Sequence, residues 1–126
     1  MHVLRRVHGA LRSKGLLLDV HPLGVDFAVR AGRRGIGFVD TRKFAVVVEA
    51  MNDGVQQTVD EGLFEEVTNR RRHVAERFDD AAEALDEADS WEHLRLPAAV
   101  RRRLRQAEET PVEFVDTIRY RLLRKR

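Results

Sequence analysis

Asp19 and His21 stand two residues apart in the run Leu16-Leu17-Leu18-Asp19-Val20-His21-Pro22, at its carboxyl end. Histidine titrates near neutral pH and can serve as a general base. A carboxylate beside it could orient or deprotonate a nucleophile, so this pair supplies the catalytic and substrate-binding candidates. In open α/β sheets, ligands bind in the crevice beyond the carboxyl ends of the strands. The plainer reading is an aspartate capping a turn and a histidine fixed by Pro22, and residue types alone favour it.

Other chemistry is poorly supported. Of the five histidines, His2 and His8 lie six apart, and His73 and His93 have no companion at metal-ligand spacing. HExxH is absent, so no metal site is expected. Ser13 falls in a helix stop and Ser90 lacks the glycines of a nucleophile elbow. With no cysteine there is no thiolate and no disulfide framework. Gly32-Arg33-Arg34-Gly35-Ile36-Gly37 is rich in glycine but reads as a hairpin turn, not a phosphate cradle. Arg70-Arg71-Arg72 and the tail from Arg119 to Arg126 could contact phosphate. The acidic run from Asp79 to Glu92 offers them a matching surface, so charge pairing is the reading preferred. Trp91, followed by Leu94 and Leu96, should pack under the acidic helix.

The elements that must position Asp19 and His21 follow from periodicity. Leu4, Val7 and Leu11 recur at helical spacing, and Lys14-Gly15 ends that helix, with Gly15 suited to the positive φ of a C′ residue. The Leu16–Val20 strand is apolar on both faces, which predicts a central strand of a parallel sheet with neighbours on both sides. Val25, Phe27 and Val29, a five-residue loop from Ala31 to Gly35, and Ile36 to Val39 make a hairpin signal. Phe44, Val48, Met51, Val55 and Val59 form one helical stripe, ended by Gly62. Asn52-Asp53-Gly54 weakens the case for an unbroken helix there. The stretch 63–76 fits helix or strand. Asp79 is the expected cap of a short acidic helix, with Phe78 as its staple. Pro97 suits the first residue of another helix, lined by Val100, Leu104 and Ala107. Val112, Phe114, Ile118, Tyr120 and Leu122 share one parity of a long last strand, interrupted on that face by Asp116.

Composition bounds the function. A chain of 126 residues fits one domain, 1–126, and 43% apolar residues argue against disorder. The 23 basic residues include only three lysines, leaving 20 arginines. The net charge of +2 is small for a nucleic-acid binder. No apolar run reaches the roughly 18 residues of a membrane span, and no signal-peptide core is seen. A cytoplasmic protein is the default expectation.

With these elements in place, VLRRVHGALRSKGLLLDVHP resembles the region of class I S-adenosylmethionine-dependent methyltransferases that runs from a helix through a glycine turn into the fifth strand. Ser13-Lys14-Gly15 stands where that family commonly has Pro-Gly-Gly. The ending VEFVDTIRYRLLRKR is similar to the family's last strand, which returns antiparallel into the sheet. The resemblance covers nearly the whole chain, but only as the C-terminal half of such an enzyme. It implies an α/β fold: a small mixed sheet flanked by helices, like the second half of a Rossmann-like methyltransferase, with an extra β-hairpin. It also places Asp19 and His21 on the substrate side. The family's glycine-rich cofactor turn and ribose-binding acid have no counterpart here. S-adenosylmethionine is therefore expected only if an N-terminal half is supplied, and none is bound by the chain alone.

The expectation is a truncated or split methyltransferase-like protein, not catalytic alone. The alternative is a non-catalytic homo-oligomeric interaction protein, with a basic nucleic-acid-binding domain third. A homodimer, or a partner chain covering the 16–20 strand edge, is the expected assembly.

Overall fold

The structure, a computed structural model, describes residues 2–126. Among the described residues are four helices and five strands: α1 (His2–Ala10), β1 (Leu16–Pro22), β2 (Ala28–Ala31), β3 (Arg34–Phe38), α2 (Arg42–Asp60), β4 (Phe64–Phe78), α3 (Ala81–Asp89), α4 (Ala98–Gln106) and β5 (Val112–Lys125). The strands join one sheet in which β5 pairs with β1, β2 and β4. Among the described residues no helix is long and apolar enough to cross a membrane.

The chain divides into two compact units. One takes in the chain up to Pro22, Val46–Arg72 and Ile118–Arg126; the other holds Leu23–Ala45 and His73–Thr117.

In the first unit, α1 ends before a tight turn. The residue with positive φ there is Lys14, at 61°, and not Gly15 as expected. Glycine is required at 15 for space instead: a Cβ would lie 2.9 Å from the Arg12 carbonyl oxygen and 3.2 Å from Leu11 Cβ. β1 then pairs antiparallel with β5, Leu17 opposite Leu123, Asp19 opposite Arg121 and His21 opposite Arg119. Side chains alternate across a strand, so Leu17, Asp19 and His21 share a face. Leu17 and Leu123 meet Leu4, Leu11, Val55, Val59 and Phe64 in one cluster, which places α1 and α2 on that same face.

The opposite face overturns the central-strand expectation. Leu16, Leu18 and Val20 are 54%, 57% and 47% exposed. Among the described residues β1 pairs only with β5. Its apolar residues on both faces therefore reflect one helix-covered face and one bare face, not burial between two neighbours.

α2 continues unbroken for 19 residues through Asn52-Asp53-Gly54, burying Val48, Val55 and Thr58. The buried Thr58 hydroxyl donates to the Val55 carbonyl at 2.7 Å, which satisfies it within the helix. Gly62 follows at φ 77°, as a helix stop needs. The ambiguous stretch is β4, a strand. Glu66 meets Arg121 and Asn69 meets Arg119, so β4 runs antiparallel to β5. β5 thus lies between β1 and β4. These two run the same way but never pair, and the expected mixed sheet is antiparallel at each of its pairings.

In the second unit, β2 and β3 form the expected hairpin, with a shorter connection: Gly32 and Arg33 turn the chain, Gly32 at φ 57°. β2 also pairs with β5 over Val112–Val115. The core gathers Val29, Ile36, Phe78, Ala84, Ala88, Val100, Leu104 and Phe114, with Trp91 and Leu94 packed against it. Trp91 meets Phe114 at 5.2 Å between ring centroids, an attractive aromatic separation. The α3 cap is Asp80, one residue later than expected; its carboxylate accepts the Glu83 N–H at 2.9 Å. The Glu83 carboxylate in turn accepts the Asp79 N–H. Pro97 takes the cap position of α4 rather than its first helical position.

Along β5 the buried positions change parity. Val112, Phe114 and Asp116 are buried in the second unit, Arg121 and Leu123 in the first. The single apolar face expected for this strand is therefore two faces. Asp116 and Thr117, both buried, mark the change, and the Asp116 carboxylate accepts the Thr117 N–H at 2.7 Å.

Candidate functional site

The alternation of β1 carries Asp19 and His21 onto the face covered by α2, and the two side chains meet. His21 Nδ1 lies 3.2 Å from Asp19 Oδ2. The approach is off the line of a hydrogen bond, since that buried oxygen has no hydrogen-bond partner among the described residues. The ring is 7% exposed and the Asp19 side chain 22%.

The other ring nitrogen, Nε2, lies 2.9 Å from Asn52 Oδ1 on α2. The same oxygen accepts from Arg119 Nη1 at 3.3 Å. Because Arg119 must donate, the Asn52 oxygen is an acceptor, and Nε2 carries the proton that points at it. Nε2 of His21 is thus committed to Asn52, while Nδ1 stands beside Asp19 without a hydrogen bond. Of the pair proposed from sequence, Asp19 is the more exposed group and the His21 ring is nearly buried.

Arg119, on β5 opposite His21, also donates through Nε to Asn69 Oδ1 of β4 at 3.0 Å. Burial, with Arg121 and Arg71 nearby, pushes its guanidinium below the usual arginine value, and Glu66 and Asp19 oppose that shift. Arg121 is treated differently. It is 1% exposed, its Nε lies 3.2 Å from Glu66 Oε1, and Nη2 donates to Gln56 Oε1 at 3.1 Å. A charge so deeply buried needs a partner of opposite sign, and Glu66 supplies it.

Sequence reasoning found Asp19 and His21 and missed Asn52, Asn69 and Arg119 as parts of one group. Asn52 was visible only as a helix-weakening residue, and Arg119 only as the first residue of an arginine tail that could contact phosphate.

Within the first unit, Arg121 of the arginine tail pairs with Glu66 of β4. The acidic run pairs through Asp89 with Arg101 of α4, at 2.8 Å. Among the described residues, Arg70, Arg71, Arg72 and Arg119 enter no ion pair.

A cleft of about 560 Å³ in the second unit is lined by Trp91, His93, Asp40, Arg42 and Lys43 among others. Its aspartate is engaged internally. Asp40 accepts from the Arg42 guanidinium at 2.7 and 3.0 Å, and that contact holds its carboxyl at about 2. A carboxylate so acidic is a poor base at neutral pH. The Asp19 group is the better candidate.

The glycine cluster lies in the β2–β3 hairpin, and a Cβ at Gly37 would lie 2.7 Å from Val100 Cγ2. That glycine permits packing against α4, not approach to a cofactor. Among the described residues no three His, Cys, Asp or Glu side chains converge as a cation site requires. No protein-family model matches the chain, and no curated protein matches it.

Proposed function

We propose that this chain is a methyltransferase-like half domain. It forms the substrate-side wall of a site whose S-adenosylmethionine pocket is carried by another segment, on this polypeptide or on a partner. The observation that supports the reading best is the arrangement around β5. The last strand returns antiparallel between β1 and β4, α1 and α2 cover one face, and Asp19 lies midway along β1 with His21 at its carboxyl end. That is the order the resemblance implies for the second half of such an enzyme. In this reading Asp19 accepts a hydrogen bond from the hydroxyl or amine to be methylated, and His21 keeps the carboxylate oriented.

The exposed Leu16, Leu18 and Val20 favour a second reading, a homo-oligomeric interaction protein without catalysis. Both readings predict association; only the first predicts chemistry. The discriminating experiment purifies the tagged chain under native conditions from its own cells and assays transfer of labelled methyl groups from S-adenosylmethionine. Transfer that falls at least tenfold with Asp19→Asn, and less with His21→Ala, is expected. Folding of both variants is checked by circular dichroism. Transfer unchanged in Asp19→Asn, or absent from the wild-type complex, defeats the catalytic reading.

A further inference from the structure

A partly buried arginine normally faces a carboxylate, because removing a charge from water is costly unless an opposite charge or strong hydrogen bonds replace the solvent. Arg121 obeys this through Glu66. Arg119, two residues earlier on β5 with its side chain on the same face, does not. Its Nε and Nη1 bind the oxygens of Asn69 and Asn52. Carboxamides are neutral acceptors. They fix the plane of the guanidinium and leave its charge unspent.

The surroundings add to this. Arg71, on β4 two residues from Asn69, is exposed and within electrostatic reach of Arg119. Three guanidiniums, those of Arg71, Arg119 and Arg121, gather here against the two carboxylates of Glu66 and Asp19, and an anion entering the site would offset the excess. The guanidinium fork is shaped for two-point binding of a carboxylate or phosphate. Asn52 ties this receptor to the Asp19–His21 pair, since its one oxygen meets both Arg119 Nη1 and His21 Nε2.

We propose that Arg119, assisted by Arg71, is the receptor for an anionic group, phosphate or carboxylate, on a small-molecule substrate presented to Asp19. The proposal rests on the substrate-side reading above for its link to methyl transfer, and it narrows the acceptor to an anionic hydroxy or amino compound. Asp19 itself repels the anion, so the ligand must keep its charged end at the arginines and turn a neutral N–H or O–H toward Asp19.

The test uses the whole purified chain and two probes, inorganic phosphate and succinate, followed by the nitrogen shifts of the arginine Nε–H groups. Saturable millimolar binding that moves the Arg119 signal is expected with at least one probe, and the preferred probe identifies the anion. A hydrogen bond to a charged group contributes about 1.5–3 kcal/mol, so Arg119→Gln should weaken binding by roughly 10- to 100-fold. Arg71→Gln changes an exposed residue and leaves the fold intact; a two- to fivefold loss, on the order of an exposed charge pair, is expected. Arg33→Gln, on the β2–β3 turn, should change nothing. Equal losses in Arg33→Gln and Arg119→Gln, or no saturable shift at Arg119, would overturn the proposal. So would tight binding of a single-stranded oligonucleotide that needs Arg70 and Arg72 as much as Arg119, because the cluster would then be a polyanion surface. Probe binding requires no methyl donor, so this result stands or falls apart from the transfer assay.

Discussion

Gly15 is held by a steric demand at the scale of one atom. A Cβ there would sit 2.9 Å from a backbone oxygen, which cannot move aside as a flexible side chain can. Gly15→Val should therefore destabilise the chain by about 1 kcal/mol or more, whereas Lys14→Gly should stabilise it slightly. The left-handed position belongs to Lys14, and L side chains pay roughly 1–2 kcal/mol in that conformation. Thermal melts of the two variants check both signs; a Gly15→Val melt equal to wild type would contradict the geometry. The sequence marked this turn correctly but assigned its strain to the wrong residue, because a Lys-Gly pair reads as a glycine stop whichever member turns left. The candidate site was legible to the same degree. Asp19 and His21 are neighbours in one strand, so their meeting could be read from sequence. Asn52, Asn69 and Arg119 reach the group through contacts spanning 31 to 67 residues, and no local pattern reports such pairings. The burial of His21 was beyond sequence too, since only the packing shows its Nε2 set against Asn52.

At the scale of elements, α2 begins with a conflict. Its first turn carries Arg42 and no acid, which places a cation at the positive end of the helix dipole. Asp40 resolves this from two residues upstream, accepting both the Arg42 N–H at 3.1 Å and its guanidinium. Those bonds hold the Asp40 carboxyl at about 2, below its ordinary 3.8. A depressed carboxyl favours the fold while it is ionised. Its contribution is complete above the ordinary value and is lost as pH falls through about 2. Asp40→Asn should thus lower stability at neutral pH and flatten its decline across that acid window. Denaturant midpoints measured down the pH scale would show this; parallel wild-type and variant curves would mean that the interaction is screened by water. Element types were readable where one face is buried, as in the stripe of α2. They were not readable for β4, whose residues 67–77 are exposed. A strand with no buried face writes no period into its sequence. β1 misled for the opposite reason. Apolar residues on both faces were taken for burial on both, but one face is open.

At the scale of the whole molecule, two expectations remain to be measured. The first is that the chain alone does not bind S-adenosylmethionine. Its glycines serve a hairpin and a helix contact, and calorimetry should show no saturable heat; micromolar binding competed by the demethylated product would refute that. The second is association. Leu16, Leu18 and Val20 form an exposed apolar row on β1, whose free edge has no strand partner among the described residues. Unpaired backbone groups beside exposed leucines are a template for another strand. The hairpin does not fill this role, since β2 pairs with β3 and β5. A second copy could pair β1 with β1 about a two-fold axis. Register then decides the outcome. Centred on Leu18, the pairing sets Leu16 opposite Val20 and Asp19 opposite Leu17, with no like charges facing. Centred on Asp19, it would set two carboxylates directly opposite, which is destabilising. The Leu18 register is expected. Replacing Leu18 by lysine should then dissociate the assembly, because two cations would meet at the axis, while Leu17 and the covered face stay untouched. Light scattering over a dilution series measures this. A wild-type species that stays at 14.5 kDa at high micromolar concentration would show that β1 does not pair with its own copy.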